Sequence, residues 1–96
     1  MAMTPEGKVK LAVKKLLDEF RIYHFSPFMA GMGRAGVPDI IACHNGKFLG
    51  IECKAGKGKV TALQERELDA IDAAGGFTFV AREDNLKTLK ERILCL

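Results

Sequence analysis

The tetrapeptide His44-Asn45-Gly46-Lys47 lies between two apolar runs and constrains this chain more than any other feature. Asn-Gly is the preferred pair for a two-residue type I′ hairpin, because both central positions need a positive φ that Asn tolerates and Gly adopts freely. A turn of that length fixes the register. With His44 opposite Lys47, Cys43 meets Phe48, Ile41 meets Gly50, and Asp39 meets Glu52. The hairpin thus sets two carboxylates side by side, with Lys54 one step further along the same face. Carboxylates in that position destabilise a sheet and cannot both stay ionised without a counter-charge. A divalent cation supplies that charge, and hard oxygen ligands select magnesium or manganese.

The hairpin strands are expected over Pro38–Cys43 and Phe48–Lys54, with proline at a tolerated first position. Ile40, Ala42, Leu49, Ile51 and Cys53 point one way; Asp39, Ile41, Cys43, Phe48, Glu52 and Lys54 point the other. Both faces carry apolar residues, so helices are expected on both sides of the sheet. Thr4-Pro5-Glu6 supplies a capping hydroxyl, a first-turn proline and an acid for one of them. Val9, Ala12, Val13, Leu16, Leu17 and Phe20 then recur at helical spacing. Glu6 extends that apolar stripe. The pattern favours placement at the helix dipole for Glu6, with an inward ligand as the second reading.

Further along, Arg21–Phe28 is expected as a first strand and Met29–Gly36 as a flexible glycine-bearing loop. A basic loop, Lys54-Ala55-Gly56-Lys57-Gly58-Lys59, leads into a helix over Ala62–Ala74 that stops at Gly75-Gly76. Phe77–Ala81 reads as a short strand, and Asp84 or Asn85 can cap a last helix carrying Leu86, Leu89, Ile93 and Leu94. The order is α, β, β, β, α, β, α. It predicts an α/β fold with a mixed four-stranded sheet flanked by helices.

At 96 residues the chain is expected to be one domain over 1–96 with a single modest core. No apolar run approaches the ~20 residues of a membrane span, and the N-terminus enters a charged amphipathic helix rather than a secretory signal. Cys43, Cys53 and Cys95 are odd in number and lack CxxC spacing, which argues against a disulfide framework and a zinc site and for a reducing compartment. The net charge of +3 is modest, so the location of the basic residues matters more than their sum.

Several other patterns bear on function. Gly31-Met32-Gly33-Arg34-Ala35-Gly36 matches GxGxxG, but Val37-Pro38 leads into a strand where a dinucleotide fingerprint needs a helix, so no nucleotide cofactor is expected. Arg34 on that loop is available for phosphate, with plain loop flexibility as the bland reading. Thr61-Ala62-Leu63-Gln64 satisfies a capping box, while the Gln64 amide could instead face the acidic cluster; the pattern alone favours the cap. His24 and His44 sit at no metal-binding spacing, and no serine has a histidine-acid setting. Lys8, Lys10, Lys14 and Lys15 read as a solvated helix face. Lys57 and Lys59 differ, because a positive loop beside the carboxylates attracts a polyanion that the acids alone would repel.

Gly36-Val37-Pro38-Asp39, then Glu52-Cys53-Lys54, then Gln64 resemble the PD-(D/E)xK nuclease pattern. More narrowly, GVPDIIA from Gly36, FLGIECKAGKGKVTALQ from Phe48 and the glycine pair Gly75-Gly76 resemble the VRR-NUC family of virus-type replication and repair nucleases, over Pro5 to Arg82. The resemblance implies a restriction-endonuclease-like core in a stand-alone, phage-type member. It implies Asp39, Glu52 and the backbone carbonyl of Cys53 as ligands to Mg²⁺ or Mn²⁺, and Lys54 beside the attacking water or scissile phosphate. It moves Glu6 to the site as a helix-borne acid and draws Gln64 toward function. Its implied activity is DNA hydrolysis by a homodimer on branched DNA such as four-way junctions, in the cytoplasm, the host's if phage-encoded. Rival readings are a nuclease without structure specificity, a non-catalytic nucleic-acid-binding module, and an ion pair of structural value alone. Phe28, Met29 and Met32 could join a subunit interface or a core.

Overall fold

The computed structural model describes residues 3–28 and 33–96, so Met29, Gly31 and Met32 lie outside the described residues. The elements run α1 (Pro5–Glu19), β1 (Tyr23–Phe25), β2 (Ile40–His44), β3 (Lys47–Cys53), α2 (Ala62–Ala73), β4 (Phe77–Ala81) and α3 (Leu86–Leu94). The four strands form one sheet in the order β1-β2-β3-β4, antiparallel at the first two junctions and parallel at the last. This is the mixed sheet that the pattern predicts.

The Asn-Gly turn behaves as its chemistry requires, with Asn45 at φ 52° and Gly46 at φ 77°. The ladder that follows pairs His44 with Lys47, Cys43 with Phe48, Ala42 with Leu49, Ile41 with Gly50 and Ile40 with Ile51. β2 begins later than expected, at Ile40 rather than Pro38, for a reason that bears on function. Asp39 uses its side chain, through Oδ2, to accept the Cys53 N–H at 2.8 Å, which ends the backbone ladder one residue early. β1 is also shorter than expected. Arg21 adopts φ 55° and the Ile22 N–H reaches back to Leu17 O at 2.9 Å, so the residues after α1 close that helix before any strand begins.

One face of the hairpin is the core. Ile40, Ala42, Leu49, Ile51 and Cys53 are buried there with Val9, Val13 and Leu17 of α1 and Leu89 and Ile93 of α3. Each large side chain buried in this way contributes roughly 1.5–3 kcal/mol of transfer free energy before entropy is charged against it. Helix α2 packs on β3 and β4, where Ile71 lies over Gly50. Helices therefore cover both faces.

The cover on the α2 side is partial. Tyr23 pairs with Cys43 and Cys43 with Phe48, while Phe25 pairs with Ile41, so all five share one face. Tyr23, Phe25 and Phe48 are exposed there, the first two in an edge-to-face contact. At the far end of the fold Asn85 stands at the N-cap of α3, yet its side chain turns back to accept from the Arg82 N–H and donate to Val80 O. Leu94, expected on the apolar face of α3, is exposed.

Candidate metal centre

Three segments converge at the open end of the hairpin. Thr4 caps α1 by accepting the Gly7 N–H at 3.0 Å, and this places Glu6 in the first turn, pointing past the end of the sheet. Gly36 sets the approach of the second segment. It has φ +80°, and a Cβ there would lie 2.5 Å from the Leu63 carbonyl oxygen, so only glycine lets the chain pass the start of α2 and deliver Asp39. Strand β3 then presents Glu52. One carboxylate oxygen from each of Glu6, Asp39 and Glu52 lies within 4.8 Å of the others.

The environment of Glu52 is the most unusual in the molecule. It is 1% exposed, and its Oε1 is buried with no hydrogen-bond partner among the described residues. Burial first, then a proton shared with Asp39 and the Asp39 charge, push its carboxyl up to about 8, while Lys54 pulls the other way. An orphaned, buried carboxylate oxygen facing two further acids is what a hard divalent cation would satisfy, so the residues present fit Mg²⁺ or Mn²⁺. Cys53 fits only through its backbone. Its side chain is fully buried in the core with Ile40, Leu49 and Ile51, on the face of β3 away from Glu52, where burial and the neighbouring acids push the thiol up to about 12.

Two ammonium groups brace the acids crosswise. Lys54 Nζ lies 4.0 Å from Glu6 Oε1, and Lys10 Nζ lies 3.5 Å from Asp39 Oδ1. Lys10 reads as a solvated lysine in the linear chain, yet it stands at the site. Its spacing of four residues from Glu6 was the available signal, since such pairs share one helical line.

The other expected residues divide. Lys54 and Lys59 line a cleft of about 380 Å³ with Thr4, Glu6, Ala55 and Gly58, whereas Lys57 is exposed just outside it. The loop carrying them is tied down at one residue, Gly56. The Gly56 N–H donates to both Glu83 oxygens at 2.9 Å, and Arg82 Nη1 donates to Gly56 O at 3.1 Å. Gln64 completes the capping box: its Oε1 accepts the Thr61 N–H at 2.9 Å and its own N–H donates to Thr61 Oγ1 at 3.2 Å. Arg34, expected to be available for phosphate, is engaged by Glu67, with Nε to Oε1 at 2.8 Å and Nη2 to Oε2 at 3.1 Å. That fork holds Glu67 below the usual carboxylate range. The pair borders a cleft of about 410 Å³ that is larger than the one beside the acids but, beyond this mutually neutralised pair, is lined by apolar residues and glycine. His24 bonds to Asp18 and His44 to Asn45, both away from the acids.

No protein-family model and no curated protein matches the chain. A solved structure described as a VRR_NUC domain protein does match, with a TM-score of 0.74 over 100% of this chain and 93% of that one, at 21% sequence identity. The chain therefore adopts the fold of that VRR_NUC domain protein.

Proposed function

We propose that residues 1–96 form a single nuclease domain of the VRR-NUC family that hydrolyses DNA phosphodiester bonds with a divalent cation. The observation that carries this reading is the buried, unpartnered Oε1 of Glu52 set among Glu6 and Asp39 beside Lys54. Asp39, Glu52 and the Cys53 carbonyl would hold Mg²⁺ or Mn²⁺, with Glu6 completing the set. When bound, such an ion polarises a phosphoryl oxygen and makes water a better nucleophile. Lys54 stands at the mouth of the cleft, where its ammonium offsets charge that builds on the phosphate. Lys57 and Lys59 draw the DNA backbone toward acids that alone would repel it. Gln64 acts by holding the start of α2 through its cap.

We further propose that the protein works as a homodimer on branched DNA, four-way junctions among them, in the cytoplasm. One site makes one cut, so paired nicks need two sites related by two-fold symmetry. The uncovered sheet face of Tyr23, Phe25, Ile41, Cys43 and Phe48 supports a protein partner, because it contains no lysine or arginine to meet phosphate. The three cysteines are all free, in keeping with a reducing compartment.

The test is a cleavage panel of labelled junction, flap and linear duplex DNA with Mn²⁺, Mg²⁺ or EDTA. Cutting should require metal and should vanish in Asp39→Ala while circular dichroism stays native. Metal-independent cutting, or DNA binding without any cutting, refutes the catalytic reading. A sedimentation mass near twice 10.5 kDa, reduced to one subunit by Phe25→Glu, is expected of the dimer.

A further inference from the structure

We infer that Lys10 holds the place of the divalent cation: its ammonium, seated on the Asp39 carboxylate, is the group that an entering ion displaces, and it thereby sets the metal affinity of the site. The inference rests on the nuclease reading only in taking Glu6, Asp39 and Glu52 as ligands.

The geometry gives Lys10 this role rather than Lys54. Asp39 Oδ2 is committed to the Cys53 N–H at 2.8 Å, so among the described residues Oδ1 is the oxygen that no backbone donor claims. Lys10 Nζ is on it at 3.5 Å, too long for a charge-assisted hydrogen bond and held by charge alone. The Lys10 side chain is 36% exposed, whereas that of Lys54 is 12% exposed, so Lys10 can leave into water at little cost and Lys54 cannot. Charge balance points the same way. Even with all three acids ionised, a doubly charged ion added to both ammoniums would leave the centre with excess positive charge. Lys10 lies on α1 one turn after Glu6, so it can swing away from Asp39 without disturbing that ligand.

The experiment is a calorimetric titration of Mn²⁺, without DNA, into the wild type, Lys10→Met and Lys10→Arg. A partly exposed ion pair of this kind predicts that Lys10→Met binds Mn²⁺ about threefold to fivefold more tightly, and that Lys10→Arg stays within about twofold of the wild type. A merely structural lysine would give the opposite sign, because loosening the site weakens it. Unchanged or weaker binding by a folded Lys10→Met overturns the inference while leaving the metal centre standing. Absence of Mn²⁺ binding by all three proteins removes the metal centre and the inference with it. A second measurement needs no variant: trace acetylation of the wild type, read by mass spectrometry, should label Lys10 faster in saturating Mg²⁺ than in EDTA, with Lys14 as the internal reference. Equal labelling overturns the displacement.

Discussion

Glu52→Gln should make the metal-free protein more stable at alkaline pH, and the size follows from burial. The folded carboxyl titrates at about 8 against an ordinary 4.5. Because the folded-state value is the higher one, the folded chain holds the proton more tightly than the unfolded chain. The associated stability is therefore complete below pH 4.5, falls as pH rises, and is fully lost once pH has passed about 8. Each pH unit in that window costs about 1.4 kcal/mol, so the full loss is at most about 5 kcal/mol. That is a large share of the roughly 5–15 kcal/mol that stabilises a domain. Glutamine has the shape of the protonated acid, can donate to Asp39 as that acid does, and never ionises. Urea denaturation of both proteins in EDTA from pH 5 to 9 measures the difference. The stability gap should widen in favour of the variant up to about pH 8 and then level off. Mn²⁺ should narrow it by rescuing the wild type alone, by about 2.7 kcal/mol at a hundredfold excess over Kd. A gap that does not change with pH, or a variant less stable than wild type at pH 9, would refute the assignment of a buried, ionisable Glu52.

Two further outcomes are expected. Lys54→Ala should reduce turnover by at least a hundredfold while calorimetric Mn²⁺ binding is retained, since its ammonium serves the phosphate rather than the ion; loss of both together would make it a structural residue. Gly36→Ala should cost on the order of 3 kcal/mol in urea denaturation, because the new methyl meets both a left-handed φ and the Leu63 carbonyl; a change below about 0.5 kcal/mol would mean that this passage is not tight.

Much of this architecture is legible in the chain because its determinants are local. The Asn45-Gly46 turn dictates the ladder, Thr4 and Thr61 mark the helix starts, and Gly75-Gly76 ends α2. Asp39 and Glu52 meet for the same reason, since a two-residue loop leaves no other register. The place of Lys10 is not legible in the chain, because Lys8 and Lys15 on the same helix are exposed and which side of α1 meets the acids depends on how the helix docks. The engagement of Arg34 by Glu67 is likewise invisible in the chain, because Glu67 lies beyond the hairpin, in α2, and no periodicity connects the two. The truncation of β1 and β2 came from side chains and helix closure competing for ladder donors, which strand propensity does not register.

Gly56 is gripped at both of its flanking peptides, by Glu83 at its nitrogen and Arg82 at its oxygen. A lysine-bearing segment fastened in this way resembles a fixed rail more than a loose tether. A free loop surrenders about 1–2 kcal/mol of backbone freedom per residue when a ligand stills it, whereas a stretch already immobilised surrenders much less. In the proposed function, Lys57 and Lys59 would meet an incoming polyanion from a preset track, and the attraction they generate would not be spent on freezing their own support.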